Sequence, residues 1–95
     1  MKFMITWKIP PGCHKPAVES FLSGGAPVPP GMKTVGRWHV PGSAIGWHLV
    51  EGDDGAALAQ HLGEWANLLE AQISPVIEDA EAASAFSKVY ESRAT

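Results

Sequence analysis

The sequence predicts an α+β fold, with elements in the order β-α-β-β-α-β and one further helix at the C-terminus. Three observations predict it. Residues 2–9 (KFMITWKI) alternate, with Phe3, Ile5, Trp7 and Ile9 on one side and Lys2, Met4, Thr6 and Lys8 on the other. Residues 32–54 form two such runs about Pro41-Gly42-Ser43-Ala44 and lead straight into a helix start. Pro75 sits inside a last alternating run, where its missing N–H confines the strand to a sheet edge.

Each element has a local reason. Pro10, Pro11 and Gly12 stop the first strand. Residues 13–23 (CHKPAVESFLS) form a short helix that tolerates Pro16 in its first turn and carries Val18, Phe21 and Leu22 as a stripe. Gly24 and Gly25 end it, and GGAPVPPG follows as a stiff rim loop. In the hairpin, Gly42 as the first central residue of a two-residue type II′ turn pairs Trp38 with Trp47 and Arg37 with His48. Trp38, Val40, Ile45, Trp47, Leu49 and Glu51 then share one face, and Val35, Arg37, His39, Gly46, His48 and Val50 the other. A three-residue loop would shift that pairing.

Gly52 breaks the strand, and Asp53 or Asp54 caps a helix over 55–69 carrying Leu58, His61, Leu62 and Trp65 at helical spacing. A strand over 70–78 follows, then a helix over 80–92 with Ala83, Phe86, Val89 and Tyr90 as its stripe. The tail, residues 92–95, is expected to fray. Right-handed crossovers turn this order into a ferredoxin-like antiparallel sheet, 4-1-3-2, whose edge strand is the one holding Pro75. Two helices cover one face of such a sheet. The other face also carries large apolar residues, so a homodimer with sheets packed face to face is expected.

Ninety-five residues make one domain, 1–95, and 45% hydrophobic with 18% charged residues argues against disorder. A net charge of −3 gives no basic footprint for nucleic acid. Charge is uneven: residues 1–50 hold five Lys or Arg against Glu19, and residues 51–95 hold nine acids against Lys88 and Arg93. The halves would attract within a fold or across a dimer, or the pattern is simply a solvated surface. The lone Cys13 excludes an internal disulfide and a cysteine-based zinc cluster, and fits a reducing cytoplasm. Neither a secretory leader nor a bilayer-spanning run is expected. No P-loop, phosphate-binding glycine loop or Ser-His-Asp spacing is present.

The opening MKFMITWKI and the run GWHLVEGDDGAALAQHLGEWANLLEAQISPV resemble the dimeric α+β-barrel superfamily over about residues 1–77. The nearest resemblance is to a family of short uncharacterised bacterial proteins with a Trp in the second strand and a Glu-x-Asp-Asp-like junction, here Trp38 and Glu51-Gly52-Asp53-Asp54. The superfamily includes antibiotic-biosynthesis and haem-degrading monooxygenases, small isomerases, dehydratases and stress-response proteins. The haem-degrading branch places an Asn where this chain has Trp7, a Trp near Glu51 and a ligating His on the second helix, where His61 comes too early. Haem degradation is therefore not expected and no cofactor is called for; haem binding through His61 stays a third reading. The resemblance implies that positions 7 and 51 face the barrel interior, which would gather Trp7, Trp38, Trp47, Leu49 and Glu51 in one cavity. Fold-level likeness alone assigns no chemistry.

Two candidate sites follow. Trp7, Trp38 and Trp47 with Leu49 would make an aromatic box for a flat apolar ligand, with Glu51 as general base if buried. The plainer reading is a dimer core of bulky aromatics and a strand-end carboxylate. Arg37, His39 and His48 share the other face, where an Arg beside two imidazoles suits an anionic ligand or proton transfer, with His48 a candidate catalytic residue. Its plainer reading is a polar edge patch. Neither set has metal-ligand spacing. His61 reads as core, and Cys13, beside Lys15, as an inert thiol set against a reactive one. The expectation is a small-molecule-binding homodimer, acting as a cofactor-independent monooxygenase or isomerase on an aromatic or apolar substrate. Its alternative is a non-catalytic structural or regulatory module whose aromatic face only forms the dimer.

Overall fold

The computed structural model describes residues 1–93, so part of the tail expected to fray lies outside the described residues. The order is β1 (Lys2–Lys8), α1 (His14–Gly24), β2 (Lys33–His39), β3 (Ile45–Glu51), α2 (Gly55–Trp65), β4 (Glu70–Val76) and α3 (Asp79–Arg93). The strands form one antiparallel sheet in the order β2-β3-β1-β4, the predicted ferredoxin-like order read from the other edge. β4 is an edge strand, so Pro75, opposite Phe3, faces no second neighbour that needs its N–H. α2 ends four residues earlier than expected, and Leu68 and Leu69 donate their backbone N–H groups back to Trp65 in the turn that closes it.

The hairpin register is the expected one: Trp38 opposite Trp47 and Arg37 opposite His48. Its turn differs. Ser43 N–H donates to the Val40 carbonyl at 3.1 Å, and Gly42, with φ 72°, is the second central residue after Pro41. Positive φ at that position after a proline marks a type II turn inside a four-residue loop, not a two-residue type II′ turn. The register survives because Val40 N–H still donates to the Ile45 carbonyl, at 3.0 Å.

A β-bulge between Thr34 and Gly36 was not expected. It moves Val35 out of the alternation and puts Thr34 opposite Val50, on the same face as Arg37. Of the two anticipated caps, Asp53 and Asp54, it is Asp54 that caps α2, its carboxylate accepting from Ala57 N–H at 3.0 Å.

The packed core lies at one end of the helix-covered face. Ile5, Val50, Met32 and Leu58 are buried there, with Phe3, Val28, Leu62 and Ala71 against them. Towards the other end of β1, past Ile5, the layers do not close. α3 stands apart: of residues 79–91, all but Ala82 are exposed, including Phe86, Val89 and Tyr90. Among the described residues no helix is long and apolar enough to cross a membrane.

Candidate functional site

Where the layers stay open, a cavity of about 340 Å³ lies between the sheet and helices α1 and α2. Ile5, Trp7, Ile9 and Ala71 come from the sheet side, Ala17, Val18, Phe21 and Leu22 from α1, and His61, Leu62 and Trp65 from α2. Apart from Ala17 and Ala71, these are residues of the stripes that periodicity assigns to each element, so the cavity lies where a core would form. Arg37, His39 and His48 add the polar groups.

The register explains why these residues meet. Trp7 pairs with Gly46, Ile5 with His48 and Phe3 with Val50, so alternate residues of β1 and β3 rise together on the helix side. Gly46 is needed for this. A Cβ there would lie 2.0 Å from the Trp7 ring and 2.5 Å from the Trp38 carbonyl oxygen. The Trp7 ring therefore lies flat across the strand, where it meets His39 edge-on at 5.2 Å. Phe21 meets the same imidazole at 5.6 Å.

Arg37 binds the cavity together through one terminal nitrogen. Its Nη2 donates to the Ala26 carbonyl at 2.6 Å, which ties the proline-rich loop to β2, and lies 3.3 Å from His48 Nε2. A guanidinium only donates, so His48 Nε2 is an acceptor. Thr34 Oγ1, 2.9 Å from that nitrogen, then donates as well, and the imidazole proton resides on Nδ1. The bulge makes this possible by bringing Thr34 and Arg37, three residues apart, to one side of β2. His48 is 4% exposed, and its pKa is pushed down to about 4, first by burial, then by the charges of Arg37 and His61. At neutral pH it is uncharged. Burial likewise lowers His61, partly offset by Glu64, and holds the Arg37 guanidinium below its usual value.

The two faces of the sheet divide the residues expected to act together. Trp7 lines the cavity with Arg37, His39 and His48, whereas Trp38, Trp47, Leu49 and Glu51 lie on the opposite face. The shared interior for positions 7 and 51 is thus corrected. Glu51 pairs with Lys2, five residues from Trp7, and an odd separation on a strand means opposite faces. In the single chain the Glu51 side chain is half exposed and 4.0 Å from Lys2 Nζ, without the burial expected of a general base. Trp38 and Trp47 are 52% and 39% exposed, the former folded over Gly36.

Phe21, His61, Leu62 and Trp65 belong to the site but read from sequence as helix packing. The only cue was the placing of an imidazole inside an otherwise apolar stripe of α2. Among the described residues no three His, Cys, Asp or Glu side chains gather as a metal's donor set.

Fold and cavity define a ferredoxin-like α+β protein with a largely apolar cavity, holding Arg37 and three histidines, between its sheet and two helices. A family model described as a domain of unknown function (DUF3303) matches residues 1–90, and the chain belongs to that family. No curated protein matches it.

Proposed function

We propose that the protein is a small-molecule-binding homodimer that takes an apolar or aromatic ligand between its sheet and helices α1 and α2. The observation that carries this reading is the 340 Å³ cavity with an apolar wall and four basic side chains, Arg37, His39, His48 and His61, of a size within the usual range of ligand sites. A fold that merely needed a core would close helices and sheet over these apolar side chains, whereas here the space between them stays open on one side. The His61 imidazole, which lines the cavity and makes no hydrogen bond to a described residue, gives the site a means of proton transfer, the step that an isomerase or a cofactor-independent oxygenase acting on such a ligand requires. The lone Cys13 supports a cytoplasmic setting.

Titration calorimetry with a panel of small aromatic and alicyclic compounds tests the site. Saturable binding near one per chain is expected, weakened at least tenfold by Val18→Phe, which places a ring inside the cavity while circular dichroism stays unchanged. Binding indifferent to that substitution, or none across the panel, sinks the reading.

The second reading, an interaction module without a ligand, is favoured by a separate observation: Trp38, Trp47 and Ile45 lie uncovered on the other face of the sheet. The two readings use opposite faces and so can be tested apart.

A further inference from the structure

We propose, resting on the cavity as a ligand site, that its ligand is an organic monocarboxylate, with an apolar body among Phe21, Leu62 and Trp65 and its carboxylate on the Arg37 guanidinium beside the His61 imidazole.

The charge inventory of the cavity carries this inference. Its titratable lining is Arg37, His39, His48 and His61, with no Asp or Glu. The ion pairs of the described residues all lie elsewhere, through the N-terminus, Lys2 and Lys15, so the half-buried Arg37 has no carboxylate partner. A guanidinium stays protonated at any physiological pH, and a partly desolvated cation without a counter-charge is costly unless one arrives. Arg37 spends a single nitrogen on Ala26 and His48, which leaves the planar fork's other N–H groups for a carboxylate.

His61 points the same way. It is 9% exposed, makes no hydrogen bond to any described side chain or backbone group, and lines the cavity. Among the described residues no fully buried side-chain nitrogen or oxygen lacks a partner, so the imidazole nitrogens of His61 reach open space, where one can donate to a carboxylate oxygen.

The same inventory limits the ligand to one negative charge. His48 is uncharged at neutral pH and its Nε2 is already occupied by two donors, so Arg37 is the one fixed cation. A phosphate-type dianion would bring a second, unmatched charge onto an apolar wall. Cavities of about 150 Å³ hold benzene, so this one has room for roughly a two-ring body.

Three probes of one shape test this on the unmodified protein: 2-naphthoate, 2-naphthamide and 2-naphthyl phosphate, titrated at pH 7.5. Naphthoate is expected to bind at least tenfold more tightly than either of the others. Arg37→Met should remove that preference, costing naphthoate tenfold or more while leaving naphthamide within about threefold. Equal binding of naphthoate and naphthamide overturns the proposal and leaves the apolar site standing. Tighter binding of the phosphate overturns it in favour of a dianion. Failure of all three, together with failure of the apolar panel, removes the site itself. The wild-type comparison decides the matter even if Arg37→Met does not fold.

Discussion

His48 shows what a single residue contributes here. Burial, then Arg37 and His61, hold its pKa near 4, against 6.5 for a free imidazole. Between those values the unfolded chain binds a proton that the folded chain refuses. Its stabilising contribution is therefore complete above about pH 6.5 and is lost as pH falls towards 4. The loss between pH 7 and pH 5 is of order 2 kcal/mol. His61 shifts in the same direction and adds to it. Urea unfolding at the two pH values should show the drop, and His48→Gln, which takes no proton, should flatten it. An equal slope in the variant would place the acid sensitivity in other groups.

At the scale of elements, the close fit of β1 to β3 sets the cavity floor. Trp7 needs a residue without a side chain opposite it, and Gly46 provides that at a buried position. Gly46→Ala forces the Trp7 ring or the β2 backbone to move, an overpacking cost of about 1–3 kcal/mol. A lowered urea midpoint and an altered near-UV signal from Trp7 are expected, whereas an unchanged midpoint would mean the strand accommodates the methyl freely. The bulge in β2 works at the same scale. One extra residue reverses the alternation, so Thr34 and Arg37 both reach His48 Nε2 and hold the imidazole in a single tautomer.

For the whole molecule, shape is the informative quantity. The radius of gyration is 16.8 Å and the longest extent 59 Å, while a compact chain of this length has a radius near 12 Å. The excess comes from α3, which carries Phe86, Val89 and Tyr90 into solvent. A lone helix of this length is marginal in water, so a partner surface would stabilise it. With Trp38 and Trp47 also uncovered, the single chain leaves large apolar side chains exposed both on α3 and on the open face of the sheet. Analytical ultracentrifugation is expected to find a dimer at micromolar concentration, and Trp38→Ala to weaken it at least tenfold without changing ligand affinity. A wild-type monomer at 100 µM would refute the homodimer. Lost ligand binding in a still-dimeric Trp38→Ala protein would mean that the two faces are not independent.

The sequence by itself determined the order of elements, the edge position of β4 through Pro75, and a cap on α2 at Asp53 or Asp54; with a two-residue turn it also gave the observed pairing of Trp38 with Trp47 and of Arg37 with His48. These are local matters, set by side-chain period, turn residues and a hairpin short enough to impose its own register. Period two also showed that Arg37, His39 and His48 share a face. It does not say which face the helices cover, because alternation is symmetric about the sheet. That was decided by the pairing of β1 with β3, some forty residues along the chain, and by the placing of α1 and α2. Tertiary structure thus moved Trp7 away from Trp38 and Trp47, brought Phe21 and His61 to the cavity, and left Glu51 at the opposite surface beside Lys2. The ionic character of the site was decided there too, since only packing puts Arg37 among apolar walls with no carboxylate in reach.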